Sequence, residues 1–310
     1  VSLMADNNRN AWHELIKKVG DTGAHGFELN FGCPHGMTER GMGAAVGQDP
    51  EIACMVVEWV MEKATIPVIT KLTPNVHSVV PTGRSVVKAG SNGLSLINTI
   101  QSVTGVDLDS FVPNPYVGGK SVFGGYCGPA VKPIALKMLT TIAQDDLTSK
   151  VPISGIGGVS TWKDAVEFML LGASNVQVCT AAMHHGFRIV EDMAEGLNNW
   201  MNEKGFKKLT DFIGKSVPTV THWEDLDINY HHVAQINQEK CIHCGLCYIA
   251  CEDTSHQSIN LEKGMPYNTY TIKEEECVGC NLCQLVCPVD NCITMEERRV
   301  APEYINWVEW

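Results

Sequence analysis

Short apolar runs and stretches of helix-spaced apolar residues take turns along the first 205 residues. Six runs read as strands: Val1 to Met4, Gly26 to Asn30, Pro67 to Lys71, Gly93 to Thr99, Val151 to Gly155 and Asn175 to Thr180. After the first, Trp12, Leu15, Ile16 and Val19 keep the i, i+3, i+4, i+7 spacing of one helix face. After the second, Ile52, Met55, Val56, Trp59 and Val60 do the same, with Asp49 placed as the N-cap and Pro50 at the first helical position.

This alternation predicts an α/β fold of parallel strands covered by helices, either an open doubly wound sheet or a closed barrel. The residues of unusual chemistry separate the two. Asn30 to Cys33, Lys71 to Asn75, Asn98 and Thr99, Gly157 and Gly158, and Cys179 to Ala181 fall at the C-terminal ends of successive strands. That is where a (β/α)₈ barrel gathers its site, with phosphate held after the last two strands. Residues 1–205 are therefore expected to form a TIM barrel, and six visible strands imply two more before Val1. Ile100 to Gly128 is too long and too rich in Gly and Pro for an ordinary connection and reads as a lid or binding loop. Residues 206–238 read as a linker wrapped on the barrel, with a short apolar helix from Phe206 to Ile213 and an aromatic run through Trp223 and Tyr230. Residues 239–310 read as a two-cluster, ferredoxin-like α+β domain.

Composition narrows the function classes. The 310 residues are 44% hydrophobic and 19% charged, as in an ordinary globular protein. No apolar run approaches the roughly 20 residues of a membrane helix. A net charge of -12 argues against a nucleic-acid partner, because phosphate binding needs clustered Lys and Arg. The N-terminus turns polar by Asp6, unlike a signal peptide. Thirteen cysteines, closely and regularly spaced in a chain this long, point to metal ligation in a reducing compartment, so a cytoplasmic location is expected.

Cys241, Cys244, Cys247 and Cys251 form one CxxCxxCxxxC run, and Cys277, Cys280, Cys283 and Cys287 form a second, followed by Pro288. Zinc ribbons pair CxxC with a distant CxxC and do not add a third cysteine two residues on. The spacing is that of iron–sulfur ligation, in which the fourth cysteine of each run serves the other cluster. One 4Fe-4S cluster is thus expected on Cys241, Cys244, Cys247 and Cys287, the other on Cys277, Cys280, Cys283 and Cys251. Cys292 is left as a small buried apolar side chain.

Two adjacent clusters make a wire for single electrons, and flavin is the usual converter to two-electron chemistry. Gly155 to Ser160 follows a strand and opens a helix, so its backbone N–H groups can approach a flavin phosphate. Cys179-Thr180-Ala181 and the turn Gly124 to Gly128 are placed to complete the cradle. Lys71, at a strand end, suits the electron-rich edge of a reduced flavin. Asn30, Asn98 and Thr99 can each hydrogen-bond a planar, amide-containing substrate. Cys33 sits in a loop with Gly32, Gly36 and Gly41 and belongs to neither cluster run. It is the candidate general acid, delivering a proton to carbon on the face opposite the hydride, with His35 near enough to tune it. Cys54 and Cys127 read as structural, His184 and His185 as solvated.

Asn30 to Met37 (NFGCPHGM), Lys71 to Asn75 (KLTPN), Asn98-Thr99, the Gly124 to Gly128 turn, Gly157-Gly158 and the two cysteine runs together resemble the dihydropyrimidine dehydrogenase family over essentially the whole chain. The resemblance implies NAD-dependent reduction of uracil or thymine at the 5,6 double bond, with hydride passing from FMN to C6 and Cys33 protonating C5. It implies substrate contacts from Asn30, Phe31, Gly32, Asn98 and Thr99, and FMN contacts from Lys71, Gly128, Ile156, Gly157, Gly158, Cys179 and Thr180. It also implies a separate FAD- and NAD-binding flavoprotein subunit, in a hetero-oligomer, that feeds NADH electrons through the two 4Fe-4S clusters. Two departures accompany it. Gly32 stands where the family often has Ser, and the family's first two barrel strands, with an FMN-contacting lysine and a substrate asparagine, would precede Val1, so a defective barrel with weak or no FMN binding is expected of this chain alone. A dihydroorotate-dehydrogenase-like FMN oxidoreductase would use the same barrel, and a ferredoxin-type electron-transfer module would keep the barrel inactive. The fused clusters and the position of Cys33 favour the first reading over the dihydroorotate one.

Overall fold

The computed structural model describes residues 1–35, 38–227, 231–254 and 256–298. Gly36, Met37, Tyr230 and residues 299–310 lie outside the described residues. The chain divides into two units, residues 1–220 and 221–310.

The first unit is built on β1 (Ser2–Leu3), β2 (Phe27–Asn30), β3 (Val68–Lys71), β4 (Gly93–Leu96), β5 (Ile153–Ile156) and β6 (Asn175–Gln177). All five pairings are parallel, and the strands lie side by side in chain order. A doubly wound sheet reverses its order at one point. This one never does, which is barrel winding. Helices α1 (Arg9–Gly20), α2 (Pro50–Met61), α3 (Val80–Lys88), α4 (Lys132–Gln144), α5 (Trp162–Leu170), α6 (Thr180–His185) and α7 (Ile189–Lys204) make or follow the crossovers. Asp49 caps α2 as expected, its carboxylate accepting from the N–H groups of Glu51 (2.9 Å) and Ile52 (3.1 Å).

Strand alternation sorts the two faces of the sheet. Phe27, Leu29, Val68, Leu94, Leu96 and Ile153 are buried in the core that also holds Trp12, Ile16, Val56, Val60, Leu139 and Phe168. Each such side chain stabilises the unit by about 1.5–3 kcal/mol relative to exposure. The other face carries Glu28, Asn30, Lys71, Ser95, Ser154 and Gln177. Two strands end sooner than expected. β4 stops at Leu96, beyond which the Ile97 and Asn98 N–H groups still donate to the Ile156 (2.7 Å) and Leu72 (3.2 Å) carbonyls before Thr99 N–H turns to the Asn98 side chain (2.8 Å). β6 stops at Gln177 because Thr180 already begins α6.

Residues 100–128 are not an unstructured lid. Ile100–Ser102 pairs antiparallel with Gly124–Tyr126, closing the base of the insertion. Gly105–Val106 pairs with Pro113–Asn114, and Tyr116–Val117 with Lys120–Ser121, further out. The helix expected from Phe206 to Ile213 is a single 3-10 turn, Leu209–Asp211. Asp211 accepts from the N–H groups of Lys207 and Lys208, while Phe206 and Phe212 pack on Trp200 with centroids 5.5 and 5.0 Å away.

The second unit has β7 (His231–Ile236) antiparallel to β10 (Ile293–Arg298) and a hairpin of β8 (Ile259–Glu262) with β9 (Thr269–Ile272). Between them lie α8 (Leu246–Glu252) and α9 (Leu282–Leu285). Its buried core is small: Ala234, Ile259, Tyr270 and Ile293, with Cys247, Cys283 and Cys292. Among the described residues no helix is long and apolar enough to cross a membrane.

Candidate active site and cluster sites

Asn30, Lys71, Ser95, Ser154 and Asn175 stand in register across β2 to β6. Glu28, two residues before Asn30, shares their face. Barrel interiors are usually filled by branched apolar side chains, and this one is polar. The Glu28 carboxylate accepts from Ser95 Oγ (2.9 Å) and Gln177 Nε2 (3.0 Å) and lies 3.5 Å from Lys71 Nζ. Gln177 also donates to Ser154 Oγ at 2.9 Å. A bond from the last strand to the second requires the sheet to curl so that this face is concave. The Lys71 and Glu28 side chains are 15% and 18% exposed, so Lys71 is an interior cation and does not snorkel to the surface. Glu28, Ser95 and Gln177 were not singled out by sequence reasoning. The available signal was the period-two step from Glu28 to Asn30 inside an otherwise apolar run.

Above this network opens a cavity of about 220 Å³. It brings together all seven residues expected at FMN, namely Lys71, Gly128, Ile156, Gly157, Gly158, Cys179 and Thr180, and adds Asn98 and Thr99. Gly157 and Gly158 have φ of 135° and 80°. A Cβ at Gly158 would lie 2.8 Å from the Gly128 carbonyl oxygen, so glycine is what lets the two loops close on each other. Cys127, read from sequence as structural, lines the same cavity, and its sulfur accepts from Thr180 Oγ1 at 3.3 Å.

The Gly157–Thr161 loop is latched from behind. Asp164 accepts from the N–H groups of Ser160 (2.9 Å) and Thr161 (2.8 Å) and from Lys132 Nζ (2.6 Å), which also reaches Glu167 (2.8 Å). Burial pushes the Asp164 carboxyl up, but Lys132 and the loop donors outweigh it and hold it below its ordinary 3.8. Hydrogen bonds to Asp164 and then Glu167 raise Lys132 above its ordinary 10.5. The fit to a flavin rests on one further observation. Thr99 Oγ1 is buried, packed over Gly125, and has no hydrogen-bond partner among the described residues. An orphaned hydroxyl beside an ammonium and two glycine loops suits a ligand with a phosphate and a polar ring edge.

Asn30, Phe31, Gly32 and Cys33 do not line this cavity. They join it through Asn98, whose Nδ2 donates to Asn30 Oδ1 at 2.9 Å. That oxygen also accepts from Gly32 N–H (3.2 Å), so what Asn30 offers a ligand is its NH₂ group. The Phe31 ring is 1% exposed and meets Trp12 edge-on at 6.3 Å, so it belongs to the core and only its backbone is available to a substrate. At Gly32 a Cβ would lie 2.4 Å from Asn98 Cβ, which means the space a serine would need is held by Asn98. Cys33 Sγ is 3.4 Å from His35 Nδ1. Pro34 and His35 line a wide groove with Gln101, Pro113 and Phe123 of the insertion.

In the second unit the eight run cysteines line two smaller cavities. Cys241, Cys244, Cys247 and Cys287 surround one; Cys251, Cys277, Cys280 and Cys283 surround the other. Each run thus lends its fourth cysteine to the other cavity. Among the described residues no group of three or more His, Cys, Asp or Glu could hold a single ion. Thiols spread around a space fit a cluster. Burial pushes the Cys247 and Cys283 thiols up to about 11, so iron must displace their protons on binding. Asn281 Oδ1, in the wall of the second cavity, is buried without a partner among the described residues.

Residues 3–201 match the dihydroorotate dehydrogenase family, and residues 234–295 match the 4Fe-4S dicluster domain. Over 258 residues the chain is 42% identical to the NAD-dependent dihydropyrimidine dehydrogenase subunit PreA of Escherichia coli, a match covering 83% of this chain and 62% of the relative. It is 44% identical over 228 residues to the chloroplastic dihydropyrimidine dehydrogenase (NADP(+)) of Arabidopsis thaliana, covering 73% of this chain and 54% of the relative. It is 43% identical over 203 residues to the catalytic subunit of dihydroorotate dehydrogenase B (NAD(+)) of Pyrococcus furiosus, covering 65% of this chain and 62% of the relative. The chain therefore spans less than two thirds of the length of each of these relatives.

Proposed function

The chain belongs to the dihydroorotate dehydrogenase family of FMN oxidoreductases and bears a 4Fe-4S dicluster domain, and from that premise we propose that it reduces uracil or thymine to the 5,6-dihydropyrimidine. The observation that carries this reading is the cavity where Lys71, the glycine loops and Thr180 meet Asn98 and Thr99. When bound there, FMN supplies hydride, and the two 4Fe-4S clusters supply electrons singly.

The chain's own residues bind, orient and protonate. Backbone N–H groups of Gly157 and Gly158, with Thr180, would hold the phosphate, and Gly128, Ile156 and Cys179 would wall the cofactor in. Lys71 places positive charge at the edge where reduced flavin gathers negative charge. Asn30, Asn98 and Thr99 present donors and an acceptor to the amide edge of a pyrimidine, and the backbone of Phe31 and Gly32 closes its side. Cys33 Sγ gives its proton to C5 as hydride arrives at C6, and His35, 3.4 Å from that sulfur, returns a proton from the groove. Cys241, Cys244, Cys247 and Cys287, and Cys251, Cys277, Cys280 and Cys283, would hold the two 4Fe-4S clusters, which would take electrons from NADH through a separate NAD- and FAD-binding flavoprotein subunit in a hetero-oligomer in a reducing cytoplasm.

A second reading, oxidation of dihydroorotate, is favoured by the family match and the Pyrococcus relative. The relative named as an NAD-dependent dihydropyrimidine dehydrogenase subunit matches over 258 residues, more than the 220 of the first unit, so that likeness runs into the cluster unit. Cys33→Ala tests the assignment. It should lower uracil reduction about 10²–10⁴-fold with FMN content unchanged, and a full rate in this variant would remove Cys33 as the proton donor.

A further inference from the structure

The first cluster cavity is lined by five thiols where a 4Fe-4S cluster takes four. The fifth is Cys292, from the turn before β10. It is 2% exposed, its sulfur is in side-chain contact with both Cys241 and Cys287, and its S–H points to the Asn237 carbonyl at 3.7 Å. The other cavity has no counterpart, since Cys251, Cys277, Cys280 and Cys283 are the only thiols in its wall among the described residues.

Free cysteine is often buried as a small apolar side chain, so what sets Cys292 apart is its place beside two cluster ligands in one cavity. We propose that Cys292 is a reserve ligand for the first cluster, standing in when Cys287 is lost. In the exchange the Fe–S bond to Cys287 breaks, Cys292 forms one Fe–S bond in its place, and the Cys292 S–H proton passes to the displaced thiolate, or to solvent where Cys287 is absent. No electron is gained or lost, and the cluster keeps its charge. Cys287 precedes Pro288 and lies five positions before Cys292, so a ligand taken from the same turn demands the least rearrangement of backbone. The two units of the dicluster domain would then differ in tolerance: the first cavity survives damage to its fourth ligand and the second does not.

The inference rests on the 4Fe-4S reading and not on the identity of the organic substrate. Its test counts iron and acid-labile sulfide per chain and records electron paramagnetic resonance of the reduced protein, without turnover. The intact protein, loaded anaerobically, is compared with Cys287→Ala, Cys287→Ala with Cys292→Ala, Cys292→Ala alone and Cys251→Ala. Cys287→Ala is expected to keep eight iron atoms, the full load of two 4Fe-4S clusters, with one cluster signal shifted. The double variant and Cys251→Ala each fall to about half that load, and Cys292→Ala keeps it all. If Cys287→Ala does not fold, Cys287→Ser with and without Cys292→Ala makes the same comparison in a chain of nearly unchanged shape. The proposal is overturned if the Cys287 single variant holds no more iron than its double partner, or if Cys292→Ala alone loses the first cluster. Failure of the unaltered, fully loaded protein to reduce uracil, with these iron counts as expected, would overturn the proposed function and leave this inference standing.

Discussion

Glu28 brings a carboxylate into a barrel interior, and Lys71, Ser95 and Gln177 are what make that tolerable. Removing the charge while keeping the shape leaves the Lys71 ammonium partly buried without its counter-charge. Glu28→Gln should therefore destabilise the first unit by about 1–3 kcal/mol, read from its urea midpoint, because both groups retain some solvent contact. Gly32 makes a second test at this scale. Gly32→Ala drives a Cβ against Asn98, breaks the Asn98–Asn30 bond and should raise KM for uracil with a stability loss of about 1–3 kcal/mol. An unchanged KM would mean that Asn98 moves aside freely. Asn30, Lys71, Asn98 and Thr99 were legible because polar residues at strand ends stand out against apolar runs. Glu28 was not, since one charge among Phe27, Leu29 and their neighbours looks like an interruption until the strand's alternation turns it inward. Cys292 was hidden for another reason: spacing identifies ligands by motif and says nothing of which other sulfur folds beside them.

The Gly157–Thr161 loop depends on Asp164 and Lys132, and their charges set a pH window. The Asp164 pKa is lowered on folding, so its stabilisation is present above the ordinary 3.8 and is lost as pH falls through the lower folded value. The Lys132 pKa is raised, so its share is present below the ordinary 10.5 and is lost as pH rises through the higher folded value. Between these limits the latch is intact. Asp164→Asn should cost about 1–3 kcal/mol at pH 7, weaken FMN binding in a fluorescence titration, and flatten the acid limb of the stability profile. An acid limb identical to the parent's would assign that slope to other carboxylates. The strands and helices of this unit were visible in the sequence as repeating period, and the Asp49 cap as a signature of residue types. The insertion at 100–128 was visible only as irregular. Its strands run two or three residues, too short for alternation to register, and the pairing that closes its base joins residues more than twenty positions apart.

At the scale of the whole molecule, the two units differ in what holds them together. The first has an apolar core of ordinary size, whereas the second buries cysteines among few apolar side chains, so cluster binding supplies much of its folding free energy. Stripping iron with an oxidant and chelator should expose the amides of 231–298 to hydrogen exchange and leave β2 to β5 of the first unit protected. Protection of both units after iron loss would show that the cysteine unit folds on packing alone. The cluster spacing announced this architecture from sequence, and barrel winding followed from where the polar residues fell. The measurement that bears most directly on the proposed function is anaerobic turnover by the intact protein, with FMN and clusters loaded and NADH supplied through a partner flavoprotein. Uracil should disappear as NADH is oxidised, one for one, with 5,6-dihydrouracil accumulating. NADH oxidation with uracil untouched, in a preparation that converts dihydroorotate to orotate, would contradict it.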